Sequence, residues 1–184
     1  MNIVLIGYRC TGKTSVGRKL SERLKMAFYD TDELVKKHTG KTIGEIVEER
    51  GWEFFREKEK AVIRALPFSV DTVIAVGGGA VMQAENRRVL KRNGLFLWLT
   101  ADINTIIQRM RNDGRNGEGR PPLAGDCAER ETSGILEQRI PIYRRLADFT
   151  IDTSERDIEA VAQEFCHLLV RRVIQGDRKR LRVA

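Results

Sequence analysis

Apolar positions along this chain follow two rhythms. Short apolar runs at Asn2–Ile6, Ala27–Tyr29, Thr72–Val76, Leu95–Thr100 and Phe149–Ile151 read as strands. Between them, apolar residues recur at helical spacing. Val16, Leu20 and Leu24 form one such face, followed by helices over Leu34–His38, Ile43–Leu66, Glu85–Asn93, Ile103–Arg111, Glu131–Leu146 and Arg156–Val173. In the last, Ile158, Val161, Phe165 and Leu168 or Leu169 turn inward. Gly51 is where the long second helix would divide. Gly94 is expected to stop its helix, Pro141 to kink or restart its own, and residues 175–184 to fray. Asp30-Thr31-Asp32 closes the second strand, so both carboxylates would point into one cleft. Alternating strands and helices with apolar strands predict an α/β fold, a parallel sheet covered on both faces. Ligands in such folds gather beyond the carboxyl ends of the strands, here the loops after Ile6, Tyr29, Val76, Thr100 and Ile151.

Residues 112–126, NDGRNGEGRPPLAGD, break the rhythm. Four Gly and two Pro make this a mobile loop, and a loop of this length in a compact domain is usually functional.

Composition narrows the class. The 184 residues suit one domain, and 41% hydrophobic with 32% charged residues is a globular balance. The net charge of +7 is uneven: Arg171, Arg172, Arg178, Lys179, Arg180 and Arg182 against Asp177 put +5 of it in residues 171–184. That tail lacks interleaved aromatics and reads as a solvated helix end, so no nucleic-acid partner is expected. Cys10, Cys127 and Cys166 form no CxxC, and with only His38 and His167 beside them no structural zinc site is spelled. Free thiols, no secretory signal and no apolar run near ~20 residues point to the cytoplasm and away from a membrane. No apolar helix face is left over, and a monomer is the default expectation.

Gly7-Tyr8-Arg9-Cys10-Thr11-Gly12-Lys13-Thr14 fits G-x-x-x-x-G-K-[ST] between an apolar strand and an amphipathic helix. Its glycines let successive N–H groups face an anion, and the helix N-terminus adds free amides and a favourable dipole. Lys13 can reach β- and γ-phosphates, and Thr14 can ligate Mg²⁺. A D-x-x-G with an N-K-x-D, as a GTPase switch protein requires, is absent, and a motor ATPase would be longer. A small kinase remains.

The other loops hold acceptor candidates. One of the two carboxylates of Asp30-Thr31-Asp32 could serve a metal and the other a hydroxyl, while Asp32 could equally cap the next helix. Arg56 and Glu59 share a helix face, either as a solvated ion pair or as a guanidinium held for a carboxylate. Gly77-Gly78-Gly79 ends a strand, where close approach of backbone to a ligand explains three glycines better than a plain turn does. Arg120, in RPPL at 120–123, is a cation on the mobile loop, and Arg139 opens R-x-P-x-Y.

Taken in order, GYRCTGKT, DTD at 30–32, the run Gly51 to Glu59, GGG at 77–79, RPPL and R-x-P-x-Y resemble shikimate kinase, a P-loop kinase of the nucleoside-monophosphate-kinase-like type. The similarity runs from about residue 2 to residue 166. It implies a three-layer αβα sandwich on a five-stranded parallel sheet, with a helical acceptor-binding region at about 32–66 and a lid at about 112–126. Residues 1–170 would form one domain and 171–184 a basic tail. It also implies transfer of the ATP γ-phosphoryl group to the 3-hydroxyl of shikimate, in aromatic amino-acid biosynthesis, with Mg²⁺.

By the same resemblance, Lys13, Asp32 and Arg120 are the catalytic set. ATP is held by Gly7, Arg9, Cys10, Thr11, Gly12, Lys13, Thr14, Ser15, Arg120 and Arg156, with Arg111 or Arg109 stacking on adenine. Shikimate is held by Asp32, Arg56, Gly78, Gly79 and Arg139, with Glu59 steadying the arginines. Thr14 and Asp30 hold the metal. Trp52, Cys10 and Pro122 depart from the common pattern, and Cys10 would make the phosphate loop sensitive to thiol reagents. The nearest alternative is a kinase for another small polyol acid such as gluconate, followed by a nucleoside monophosphate kinase.

Overall fold

A computed structural model describes residues 1–112 and 126–181 of the chain. Five strands, β1 (Asn2–Ile6), β2 (Ala27–Asp30), β3 (Thr72–Ala75), β4 (Gly94–Thr100) and β5 (Phe149–Asp152), form one all-parallel sheet in the order β2-β3-β1-β4-β5. The helices are α1 (Lys13–Leu24), α2 (Thr31–Thr39), α3 (Ile43–Arg64), α4 (Ala84–Leu90), α5 (Ile103–Asn112), α6 (Asp126–Leu146) and α7 (Ile158–Leu181), with a 3₁₀ turn at Ala80–Met82.

β1 shows why the sheet has helices on both sides. All five of its residues are buried. Ile3 and Leu5 pack with Val16, Leu20, Val161 and Phe165 on the α1–α7 side. Val4 and Ile6 pack with Ile63, Leu90, Phe96 and Tyr143 on the α3, α4 and α6 side. Alternate residues of one strand therefore feed two cores, and neither face can be left to water. A separate cluster of Val35, Ile43, Ile46, Phe55 and Val62 joins α2 to α3 and gives the outlying helices their own core.

Several boundaries differ from the sequence expectations. Asp32 neither ends a strand nor caps a helix: Asp30, with φ −114° and ψ 119°, is the cap, and its carboxylate accepts from the Asp32 and Glu33 amides. The chain passes from strand to helix with no loop, so the two carboxylates diverge instead of sharing a strand face. Ile43–Arg64 is broken at Gly51, whose φ of 79° and ψ of 169° are not helical, as the sequence suggests. Pro141 lies inside a continuous α6. The last helix runs on past residue 175 to Leu181, and residues 182–184 lie outside the described residues.

Gly94 does not end α4, which stops at Leu90 with Lys91 as its cap; it opens β4. A Cβ there would stand 2.2 Å from the Leu90 carbonyl oxygen, so the glycine answers to close backbone approach. Gly94→Ala should therefore lower the unfolding free energy by about 1–3 kcal/mol in urea titrations, the usual penalty for forcing atoms into a packed site.

Candidate active site

Two poles meet beyond the carboxyl ends of β1 and β3. The first is built by the loop leaving β1. Gly7 (φ 141°), Cys10 (φ 60°) and Gly12 (φ 87°) take positive φ and curl the loop. Gly7 has no alternative, since a Cβ would lie 2.3 Å from the Leu99 carbonyl oxygen. Thr11 Oγ1 and Lys13 Nζ both donate to the Tyr8 carbonyl, at 2.8 and 2.6 Å. Gly12 caps α1 with no side chain, which leaves the first amides of that helix uncapped by any side chain.

Beside this loop lies a cavity of about 490 Å³. Cys10, Thr11, Gly12, Lys13, Thr14 and Ser15 line one side, and Arg109, Thr153 and Arg156 another. Arg109, and not Arg111, faces it, and donates to the Cys10 carbonyl and to Thr153. Arg111 is exposed in the last turn of α5. Arg156 lines the cavity and pairs with Glu164. Thr14 Oγ1 donates to Asp30 Oδ2 at 2.7 Å, so Asp30 faces the phosphate loop with one oxygen while capping α2 with the other.

The second pole forms around Gly77–Gly79. A Cβ on Gly77 would come within 2.6 Å of both Asp32 Oδ1 and Glu59 Oε1. On Gly79 it would come within 2.3 Å of Arg56 Nη2. On Gly78 it would lie 3.3 Å from the Gly7 carbonyl, 3.4 Å from the Arg9 amide and 3.6 Å from Arg139 Nη1. The three missing side chains thus make room for Asp32, Glu59 and Arg56 and leave Arg139 and the phosphate loop against bare backbone. Arg9, an expected ATP contact, does not line the cavity beside the phosphate loop; its backbone borders the second pole.

Fully buried Glu59 accepts from Arg56 Nη1 at 2.6 Å. The pair is therefore not the solvated one that the sequence allowed. Arg56 also lies over the rings of Trp52 and Phe55, at 5.6 and 5.1 Å, so exposed Trp52 helps hold it. Arg139 lies over the Tyr8 ring at 5.7 Å. Tyr143, one turn further along α6, is fully buried and donates its hydroxyl proton to the Gly78 carbonyl. Burial pushes its phenol up to about 12, against the pull of the Arg139 guanidinium, so it stays a neutral donor throughout the physiological range.

Arg120 and the lid lie outside the described residues. The sequence reading gives no role to Tyr8, Thr31, Tyr143 or Thr153. Thr31 Oγ1 accepts from the Gly77 amide at 3.0 Å, and Thr153 Oγ1 bridges towards the Thr11 carbonyl at 3.3 Å. Tyr143 had a visible signal in R-x-P-x-Y, but its partner is a backbone carbonyl that no side-chain pattern marks.

The family model for shikimate kinase matches residues 9–170. The shikimate kinase of Syntrophus aciditrophicus is 45% identical over 171 residues, covering 89% of this chain and 88% of that one. That of Caldanaerobacter subterraneus subsp. tengcongensis is 41% identical, covering 89% and 92%. The solved shikimate kinase from Acinetobacter baumannii, in complex with shikimate, superposes with a TM-score of 0.85 at 36% identity, covering 93% of each chain.

Removing the carboxylate that holds Arg56 leaves a mostly buried cation without its partner. Glu59→Ala should lower stability in urea by about 2–3 kcal/mol, below the full penalty for a wholly buried pair because Arg56 keeps 20% exposure. Glu49→Ala, which breaks the half-exposed pair with Lys41, should change it by less than about 1 kcal/mol.

Proposed function

The chain belongs to the shikimate kinase family, and from that premise we propose how its residues divide the work of phosphorylating shikimate with ATP in aromatic amino-acid biosynthesis. The observation that carries the reading is the Gly77–Gly79 turn, which sits against the phosphate loop on one side and two arginines on the other. A donor phosphate and an anionic acceptor can meet there.

On this reading the triphosphate lies on the loop amides from Cys10 to Thr14, with Lys13 leaving the Tyr8 carbonyl to follow the transferred phosphoryl group. Arg109 and Arg156 flank the base end of the cavity. Arg56 and Arg139 grip the acceptor carboxylate, far from the reacting 3-hydroxyl, and so spend binding energy on orientation. Asp32, beside Glu59 at the face of Gly77 that a Cβ would fill, orients that hydroxyl and takes its proton late, since a loose transition state needs little base strength. Glu59 keeps the Arg56 guanidinium pointed before the acceptor arrives. Arg120 belongs to this scheme as the lid cation that reaches the phosphates.

Thr14 and Asp30 would hold Mg²⁺. They offer a hydroxyl and a carboxylate 2.7 Å apart, hard oxygen donors of the type Mg²⁺ takes. Among the described residues no group of three or more His, Cys, Asp or Glu could hold a metal, which suits an ion bound largely through phosphates and water. When bound, the ion neutralises charge on the β- and γ-phosphates. The reading has ATP and shikimate as the partners of a cytoplasmic monomer, with no nucleic acid and no membrane. Among the described residues no helix is long and apolar enough to cross a membrane.

The test is ADP release from Mg²⁺-ATP with shikimate, gluconate, AMP or no acceptor. Release is expected with shikimate alone; release with gluconate or AMP instead would mean that Arg56 and Arg139 serve another acceptor. Lys13→Ala should nearly abolish turnover while the circular dichroism spectrum is kept. Arg139→Ala should raise KM for shikimate by about 30-fold or more while KM for ATP stays within about twofold, as loss of one partner of a desolvated charge pair implies.

A further inference from the structure

Tyr143 is a large side chain with no exposed surface, in the core between the sheet and α6. Its ring lies tilted against Trp98 with 5.9 Å between centroids, a contact that phenylalanine would make equally well. The hydroxyl is therefore the unexplained part, because a buried hydroxyl is unfavourable unless it is bonded. It is bonded to the carbonyl of Gly78, the middle residue of the turn that separates the phosphate loop from the arginines. That carbonyl belongs to the peptide unit joining Gly78 to Gly79, and Gly79 is the residue against which Arg56 packs. Arg139 lies four residues before Tyr143 on the same face of α6, with its guanidinium near both the Tyr143 hydroxyl and Gly78. One hydroxyl thus stands where the two acceptor arginines and the turn between them converge.

We propose that Tyr143 is a positioning residue for the acceptor: its hydroxyl pins the Gly78–Gly79 peptide to α6, so that Arg56 and Arg139 are presented at a fixed separation. This rests on the reading of that pole as the shikimate site. The fixed separation matters because two arginines that grip one carboxylate must match its two oxygens at once. A peptide free to tilt would leave Arg56 packed on a moving surface while Arg139 stayed with the helix. The nucleotide cavity shares none of these contacts, since neither Tyr143 nor Gly78 nor Gly79 lines it.

Tyr143→Phe removes the hydroxyl and keeps the ring. KM and Kd for shikimate should rise about tenfold, the scale expected when one buried hydrogen-bond partner is left unmet, with KM for ATP within about twofold. The Gly79 amide, at the other end of the pinned peptide, should exchange faster with solvent than in the parent protein. Leu146→Ala, in the same core cluster, serves as the packing control: it should lower Tm yet leave the ratio of the two KM values unchanged. An unchanged shikimate KM in Tyr143→Phe overturns the proposal. So does an equal rise in both KM values, or the same split in Leu146→Ala, because either means packing and not positioning. If Arg139→Ala leaves shikimate affinity unaltered, the acceptor reading itself has failed. A selective effect of Tyr143→Phe with Arg139→Ala also selective supports both.

Discussion

Three absent side chains set the distance between the two halves of this site. Gly77, Gly78 and Gly79 are filled from outside by Asp32 and Glu59, by the backbone of the phosphate loop, and by Arg56. A Cβ at Gly77 would displace the carboxylates of Asp32 and Glu59, one at Gly79 would displace the Arg56 guanidinium, and one at Gly78 would press on the backbone of the loop after β1. The sheet order makes this turn unavoidable, since β3 lies beside β1 and its end must pass the phosphate loop on the way to α4. The adjacency of the phosphate loop and the Gly77–Gly79 turn is thus a consequence of strand order, and on the proposed reading glycine brings the donor and acceptor sites close enough for chemistry.

The carboxylates are sorted by where their elements begin. Asp30 and Asp32 are two residues apart, but one ends a strand and the other sits in the first turn of a helix. Asp30 is committed to the Thr14 hydroxyl and to the cap of α2, so it faces the phosphate loop and not the Gly77–Gly79 turn. Asp32 is carried over to Gly77 and Glu59. Glu59 has no exposed surface and would be unfavourable as an anion without Arg56. Arg56 in turn is confined by that anion and by two aromatic rings, so little rotamer freedom is left to lose when an acceptor binds.

Much of this could be read from residues alone, and what could not has a common cause. The phosphate loop, the five strands and the break at Gly51 follow from local pattern, because glycine spacing, apolar runs and helical period are local properties. The Gly77–Gly79 turn was legible as a place of close approach, but not what approaches it. Asp32 was misplaced because the cap at Asp30 depends on a ψ angle that either aspartate could have adopted. Gly94 reads as a helix stop in the sequence because its actual reason, the approach of the Leu90 carbonyl at the start of β4, is not visible in local pattern. Arg109 and Arg111 lie on opposite sides of the end of α5, and only the position of β5 decides which faces the cavity. Tyr143 went unassigned because it acts on a main-chain atom.

Tyr8 shows how closely the two poles are joined. Its carbonyl receives Lys13 and Thr11, and its ring lies beneath Arg139 at 5.7 Å and Arg9 at 5.9 Å. Arg109 on the Cys10 carbonyl and Thr153 on the Thr11 carbonyl tie the same loop from β5's side. On the proposed reading Lys13 leaves the Tyr8 carbonyl to follow a phosphate while these ties and Thr11 remain, so the loop need not refold around the nucleotide. The ring, buried to 3% exposure, cannot move without disturbing Ile106 and Met110 beneath it. Arg139 is then held by a residue that is itself fixed by the phosphate loop. Arg139 and Lys13, on the proposed reading the acceptor arginine and the phosphate-binding lysine, share one anchor, which makes their separation a property of the fold and not of either ligand.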